Sequence, residues 1–155
     1  MAVEMTVPMV QFNRRGIPEG RVDFDWISEN TEDLFGGKRV VVFSLPGAFT
    51  PTCTEQHLPG FVENLDELKE GGIDKVIFFA ANDPSVMDAW NKLYGHEDID
   101  VLSDHKGEFS KSIGEGVDFG PAYDWRTKRC AYLVENGEIG KKFADPFIQG
   151  ILEEL

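Results

Sequence analysis

Two almost continuously apolar segments, residues 40–45 and 76–81, constrain the fold of this chain more than any other feature. Each has the length of one strand, and near-continuous runs of Val, Ile and Phe are typical of central strands covered on both faces. The apolar residues between them recur at helical spacing over residues 51–70: Leu58, Phe61, Val62, Leu65 and Leu68. A strand, a helix and a second strand at this separation predict a parallel βαβ unit with a right-handed crossover.

The remaining segments complete one α/β domain. Further strands are predicted at 101–103, 131–135 and 138–143, and further helices at 84–94, 109–113 and 147–155. The Asn136-Gly137 pair joins the last two strands and is a strong hairpin signal. Residues 7–13 and 21–25 are predicted to form an N-terminal hairpin across Gly16. This order predicts a thioredoxin-like three-layer α/β fold, with a central mixed β-sheet and an N-terminal β-hairpin extension, in a single domain over residues 1–155.

Charge and the N-terminus limit the partners and the compartment. The chain has 28 acidic and 15 basic residues, a net charge of −13, so it repels phosphate backbones and anionic lipids. We therefore expect neither nucleic acid nor a membrane as a partner. The N-terminus has no basic stretch followed by an apolar run, unlike a signal peptide. This favours the cytoplasm, or an organelle if a transit peptide has been removed.

The cysteines are the residues with the most distinctive chemistry. Cys53 and Cys130 are too few for a disulfide scaffold and match no zinc spacing, so we expect no metal and no cofactor. Cys53 lies where the strand 40–45 gives way to the long helix. Thr50 is predicted to cap that helix and Pro51 to be its first residue, so Cys53 falls in the first turn. Free N–H groups and the helix dipole favour an anion there, which predicts a reactive thiolate.

From the helix start alone, two interpretations of Cys53 remain open. Free cysteine is among the most buried residue types, so a structural thiol is as well supported as a nucleophile. The residues before it include proline, glycine and two threonines, which shape backbone and offer hydroxyls rather than fill a core. Their presence favours the nucleophile.

The segment PGAFTPTC, residues 46–53, with HLPGF at 57–61, resembles the active-site loop of the peroxiredoxins. It is similar in particular to the branch that contains plant type II enzymes, mammalian peroxiredoxin 5 and bacterial peroxiredoxin–glutaredoxin hybrids. The resemblance continues through ANDP at 81–84 and RTKR at 126–129 to the final helix, so it covers nearly the whole chain. It implies a thiol peroxidase that reduces hydrogen peroxide and alkyl hydroperoxides through a cysteine sulfenic acid.

The resemblance also implies roles for individual residues. Cys53 would be the cysteine that attacks the peroxide. Thr50 would exchange hydrogen bonds with the thiolate and the peroxide, and Pro46 would shield the site. Arg129 would hold the thiolate and polarise the O–O bond, a task suited to a permanently charged guanidinium with several donors. Without the resemblance, Arg129 would be interpreted as an exposed charge at the start of a strand.

His57 and Phe49 are expected to support the site rather than to react. His57 follows Cys53 by four residues and therefore shares its helix face. A Cys–His metal site or protease-like pair is not favoured, because His96 and His105 lie in polar stretches far along the chain. Related enzymes commonly dimerise around the active-site loop, which implies a homodimer in which Phe49 packs across a two-fold axis.

The second cysteine is not where the related enzymes carry a resolving cysteine. The plant-type position falls in the strand 76–81, which has no cysteine, and the mammalian-type loop between 143 and 147 is largely missing. Cys130 follows Arg129 on a strand, so their side chains are predicted to point to opposite faces. We therefore expect no resolving cysteine, although Cys130 remains the one candidate. A one-cysteine cycle follows, with glutathione and glutaredoxin, or thioredoxin, as a separate reductant.

Two other functions share these features. A thiol–disulfide oxidoreductase on the same fold needs a C-x-x-C motif, but Gln56 stands three residues after Cys53. A non-turnover redox sensor or chaperone would use the same oxidation of Cys53, so the sequence does not separate it from a peroxidase. An inactive thioredoxin-like binding module is hard to reconcile with the presence of Thr50, Cys53 and Arg129 together.

Overall fold

A computed structural model of the protein describes residues 2–6, 11–16, 25–30, 34–96, 98–122 and 124–155. The strands are β1 (Ala2–Thr6), β2 (Gln11–Gly16), β3 (Asp25–Asn30), β4 (Arg39–Ser44), β5 (Lys75–Ala80), β6 (Ile99–Ser103), β7 (Gly116–Asp118), β8 (Trp125–Thr127), β9 (Cys130–Glu135) and β10 (Glu138–Lys142). A π-helical turn, Cys53–His57, precedes the helices α1 (Leu58–Glu63), α2 (Leu65–Glu70), α3 (Pro84–Tyr94), α4 (Glu108–Ser112) and α5 (Ile148–Glu154).

One mixed sheet of eight strands forms the middle of the molecule, in the order β1-β10-β9-β4-β5-β6-β2-β3. Its centre is parallel, because β4 pairs with β5 and β5 with β6 in the same direction. The antiparallel hairpin β9–β10 adds to β4, which places the start of β9 beside the end of β4. The predicted βαβ unit and mixed sheet are confirmed, and α3 has the bounds predicted for it.

Helices cover both faces of this sheet, which gives three layers. The residues of β4 alternate between two cores, since Val41 and Phe43 face one and Val40 and Val42 the other. The first core holds apolar residues of α1, α2, α3 and α5, including Leu58, Leu68, Trp90 and Ile151. The second core is built around α4 and includes Phe79, Phe109, Cys130 and Tyr132. The predicted thioredoxin-like α/β fold is therefore confirmed.

The prediction of one continuous helix over 51–70 is wrong. The helical stretch ends at Glu63, and α2 begins after Asn64, whose φ of −113° and ψ of 17° are not helical. The Asn64 side chain donates a hydrogen bond to the Gly60 carbonyl at 2.8 Å. Asparagine competes in this way with the helical backbone, and its intrinsic helix propensity is low. The apolar spacing still places both segments on the first core.

The N-terminal hairpin is present, but its strands differ from those predicted. β2 and β3 pair from Gln11 opposite Asn30 to Gly16 opposite Asp25, so Gly16 ends a strand instead of forming the turn. The predicted positions 7–10 and 21–24 lie outside the described residues. β1 and the small β7–β8 sheet were not predicted, because such short strands depend on pairing with distant partners. In the described part of the chain, no helix is long and apolar enough to cross a membrane.

Candidate active site

Cys53 lies in the first turn of the helical stretch that follows β4, as predicted. Its side chain is fully buried in the first core. The Cys53 carbonyl accepts a hydrogen bond from the N–H of Leu58, five residues on, which is the spacing of a π-helix. Single π-helical turns are rare and occur frequently at functional sites.

Arg129 lies 76 residues after Cys53 in the sequence but contacts it in the fold. Its Nη2 donates a hydrogen bond to Cys53 Sγ at 3.0 Å. The residue immediately precedes β9, whose antiparallel pairing with β4 sets Ser44 opposite Cys130. The guanidinium carbon also lies 5.5 Å from the centroid of the Phe147 ring. A fixed positive charge is therefore aimed at the sulfur where an anion would be held.

His57 connects this guanidinium to the segment before α5. His57 Nδ1 lies 2.6 Å from Arg129 Nη1, and Nε2 lies 2.8 Å from the Pro146 carbonyl oxygen. Because arginine only donates and a carbonyl only accepts, Nδ1 accepts from Arg129 and the Nε2–H donates to Pro146. Burial, together with the adjacent Arg129 charge, lowers the pKa of His57 from 6.5 to about 4. The imidazole is therefore neutral at physiological pH.

Thr50, Pro46 and Phe49 occupy the loop that leads into Cys53. Thr50 Oγ1 donates a hydrogen bond to the Gly47 carbonyl at 2.7 Å. No first-turn N–H of the described residues donates to Thr50 Oγ1, so the predicted N-cap role of Thr50 is not realised by its side chain. Pro46 and Thr50 are half-buried, whereas Phe49 is 48% exposed and has a positive φ of 62°. The Phe49 ring lies edge-on to Tyr94, with centroids 6.3 Å apart.

Comparisons with known proteins identify the family. The family model described as Redoxin matches residues 15–154. A peroxiredoxin of Sinorhizobium fredii is 45% identical over 153 residues, covering 94% of this chain and 79% of the relative. The chain belongs to the peroxiredoxin family. It also matches the hybrid peroxiredoxin hyPrx5 of Haemophilus influenzae at 38% identity, over 90% of this chain and 56% of the relative.

A solved structure agrees with this assignment. Reduced Prx3 of Vibrio vulnificus, determined in complex with hydrogen peroxide, superposes with a TM-score of 0.86 at 30% identity, covering 97% of this chain and 96% of that chain. The chain is also similar to peroxiredoxin-2B of Arabidopsis thaliana and to the structure of peroxiredoxin 5 from Alvinella pompejana. Together with the hybrid relative, these similarities place the chain in the predicted branch. As a peroxiredoxin, the protein is a thiol peroxidase and an antioxidant oxidoreductase.

Cys130 of this peroxiredoxin lies on the other face of the sheet, in the second core. Its Sγ is 2.6 Å from Ser44 Oγ, and the Ser44 hydroxyl donates to the Lys128 carbonyl at 2.7 Å. Because the Ser44 hydroxyl proton is already used in the bond to Lys128, the Cys130 S–H is the donor to Ser44. Burial raises the pKa of the Cys130 thiol from 9.0 to about 11. The thiol is thus protonated at neutral pH and points away from the first core, which holds Cys53.

Two residues near the loop were not singled out as site residues from the sequence. Asn82 lies just before α3, and the next residue, Asp83, caps that helix by accepting from the Val86 N–H at 3.0 Å. Asn82, however, accepts from the Ala48 N–H at 2.8 Å. Arg126 Nη1 donates to the Pro46 carbonyl at 3.3 Å. The sequence did offer a signal for Asn82, because it follows a central parallel strand and ligand sites form at the carboxyl ends of such strands.

The described residues around Cys53 include no metal-binding cluster. Among the residues that the structure describes, no group of three or more His, Cys, Asp or Glu side chains could hold a metal ion. The groups beside Cys53 Sγ are instead a guanidinium and, through it, a neutral imidazole. Such a set can hold an anionic sulfur and stabilise negative charge on a departing oxygen.

Proposed function

We propose that Cys53 reduces hydrogen peroxide and alkyl hydroperoxides by direct nucleophilic attack. The thiolate sulfur bonds to the terminal peroxide oxygen, the O–O bond breaks, and the departing oxygen takes up a proton to leave as water or an alcohol. The sulfur is thereby oxidised to a sulfenic acid and the peroxide is reduced by two electrons. The observation that carries the proposal is the 3.0 Å hydrogen bond from Arg129 Nη2 to Cys53 Sγ.

In this proposal, Arg129 and Thr50 act on the reacting atoms and Pro46 shields them. The guanidinium donates to the sulfur and stabilises the negative charge that develops as the O–O bond breaks, because fixed donors aimed at developing charge lower the barrier. The Thr50 hydroxyl already donates its hydrogen bond to the Gly47 carbonyl, so its oxygen lone pairs are available to accept from a peroxide O–H. Pro46, half-buried in the same loop, limits access of other nucleophiles to the sulfenic acid.

His57 serves Arg129 rather than the peroxide. A neutral imidazole that accepts from Nη1 fixes the plane of the guanidinium, so that Nη2 points at Cys53 Sγ. Phe147 lies beside the Arg129 guanidinium, and its ring centroid lies 4.9 Å from that of the His57 ring. The segment around Pro146 therefore takes part in holding the arginine.

We propose a one-cysteine cycle for the reduction of the sulfenic acid. Cys130 is protonated, buried and directed to the opposite core, which argues against a disulfide with Cys53. An external thiol, such as glutathione, would form a mixed disulfide with Cys53 and release water, and glutaredoxin or thioredoxin would then restore the thiol. The resemblance of the sequence to bacterial peroxiredoxin–glutaredoxin hybrids favours glutaredoxin as the reductant. Because Cys53 is fully buried, the turn that carries it must open for this step.

We further propose a homodimer that assembles around the loop. Phe49 and Tyr94 are 48% and 41% exposed beside the 67% exposed Leu93, and exposed Phe and Tyr are enriched at interfaces. Phe49 holds a left-handed backbone conformation, which costs about 1 to 3 kcal/mol and persists only where its surroundings hold it, as a dimer contact would. A cycle that consumes thiols also needs a reducing compartment, which supports the cytoplasm.

The test is the intact mass of the fully reduced protein within seconds of adding one equivalent of hydrogen peroxide. Gain of one oxygen at Cys53 would support the sulfenic acid and the one-cysteine cycle. Loss of two hydrogens would mean that Cys130 resolves the intermediate. A Cys53 that reacts no faster than a free thiol would refute the peroxidase, and oxidation without turnover by glutathione and glutaredoxin or by thioredoxin would favour the sensor.

A further inference from the structure

The three parallel strands of the sheet end side by side, and side chains link their ends. Ser103, the last residue of β6, donates its hydroxyl to the Asn82 carbonyl at 2.6 Å. Asn82, two residues after β5, uses its side-chain oxygen to accept from the Ala48 N–H at 2.8 Å. Ala48 belongs to the loop that follows β4. Hydrogen bonds therefore run from β6 through Asn82 to the loop that carries the active-site residues.

The loop is held from a second side at Gly47, which is buried. A Cβ atom at this position would lie 2.8 Å from Arg126 Nη1 and 3.1 Å from Asn82 Oδ1. Both side chains therefore approach the backbone closely at a position where only glycine fits without a shift. Arg126 Nη1 also donates to the preceding carbonyl, that of Pro46, at 3.3 Å. Peptide groups on both sides of Gly47 are thus bonded to these two side chains.

The position of Gly47 sets the direction of the Thr50 hydroxyl. The Gly47 carbonyl accepts the Thr50 proton at 2.7 Å, so a shift of this carbonyl would turn the hydroxyl or release its proton. A hydroxyl whose proton is committed offers only acceptor lone pairs to its other neighbours. Asn82 and Arg126 are thereby linked, through Gly47, to the orientation of the Thr50 hydroxyl.

We propose that Asn82 and Arg126 are positioning residues for the reaction at Cys53, acting through Gly47 and Thr50. This inference rests on the proposed peroxidase function. A misplacement of about 1 Å in an active site can reduce a rate by about 100-fold. Loss of either side chain therefore slows attack on the peroxide, while the intrinsic reactivity of the Cys53 sulfur is kept.

The test compares two reactions of Cys53 in Asn82→Ala. The rate constant for oxidation by hydrogen peroxide, measured by stopped flow, is expected to fall by about 10- to 100-fold. Alkylation by iodoacetamide needs no oriented threonine and is expected to fall by no more than about twofold. Asn82→Asp keeps an acceptor oxygen beside Arg126 and is expected to recover most of the lost peroxide rate.

Two further variants guard against a general loss of structure. Gly47→Ala places a methyl group between Arg126 and Asn82 and is expected to slow the peroxide reaction selectively, like Asn82→Ala. The matched control is Asn136→Ala, which removes a similar hydrogen bond, from the Gly37 N–H at 2.6 Å, at the opposite end of the sheet. Its peroxide rate is expected to remain within about twofold of the unmodified protein.

The outcomes separate the inference from the function on which it rests. An unmodified protein that oxidises no faster than a free thiol would refute the peroxidase itself. If the unmodified protein reacts rapidly but Asn82→Ala matches it, or loses both reactions in parallel, the positioning role is refuted and the peroxidase stands. A selective loss of the peroxide reaction that Asn82→Asp reverses supports the inference.

Discussion

The stability of this peroxiredoxin is expected to depend on pH through His57. In the unfolded chain this imidazole has a pKa near 6.5, whereas in the folded protein burial and the Arg129 charge lower the pKa to about 4. Between these values the unfolded state binds more protons than the folded state, so stability rises with pH. The contribution of His57 is therefore present above about pH 6.5 and is lost as the pH falls towards 4.

The magnitude follows from the two pKa values. The difference between 6.5 and about 4, at about 1.4 kcal/mol for each pH unit, amounts to about 3 kcal/mol in the free energy of unfolding. About 2 kcal/mol of this is lost by pH 5, because the unfolded histidine is then almost fully protonated and the folded one is not. Only 1% of His57 is exposed, so solvent screening does little to reduce the effect.

The assay is urea unfolding of the unmodified protein and His57→Gln, followed by tryptophan fluorescence at pH 7, 6 and 5. Glutamine does not titrate, so the stability advantage of the unmodified protein should shrink by about 2 kcal/mol from pH 7 to pH 5. The difference between the two proteins cancels other groups, such as Asp104, whose pKa is raised by burial and whose effect has the opposite sign. His96→Gln, at a side chain that is 39% exposed, controls for the loss of a histidine.

A difference that stays constant to within about 0.5 kcal/mol between pH 7 and pH 5 would refute this reasoning. It would mean that folding does not lower the pKa of His57. Burial of the ring and a hydrogen bond from the Arg129 cation to Nδ1 should both lower that pKa, so the proposed role of His57 in holding the guanidinium would lose its support.

Three further changes test other contacts. Arg129→Lys keeps the charge but not the planar fork of donors. The rate of Cys53 oxidation by hydrogen peroxide, measured by stopped flow, should fall by about 100- to 1,000-fold. A fall of less than about threefold would contradict the proposed role of Arg129. Cys130→Ala should leave turnover with glutathione and glutaredoxin, or with thioredoxin, unchanged and lower the free energy of unfolding by about 1 kcal/mol; lost turnover in the peroxidase assay would show that Cys130 takes part. Trp90→Phe removes the 3.0 Å hydrogen bond from Nε1 to Thr54 Oγ1 and part of a fully buried ring, so urea unfolding should show a loss of about 2 kcal/mol; an unchanged midpoint would count against this contact.

The sequence by itself determined the framework of this protein. Apolar periodicity predicted the βαβ unit around Cys53, and the Pro84 start of α3 predicted that helix with its observed bounds. The Asn136-Gly137 turn predicted the hairpin that brings β9 back to the sheet. These features depend on neighbours within a few residues, through helical spacing and turn conformation, so they can be inferred before the fold is known.

Only the tertiary structure decided which side chains meet. Arg129 reaches Cys53 across 76 residues because β9 pairs with β4 in one register, and the same register sends Cys130 to the other core. The bond from Asn82 to Ala48 and the neutral state of His57 likewise depend on how strand ends and buried rings are packed. Hydrogen-bond partners and pKa values are set by three-dimensional neighbours and by burial, and neither is encoded in local spacing along the chain.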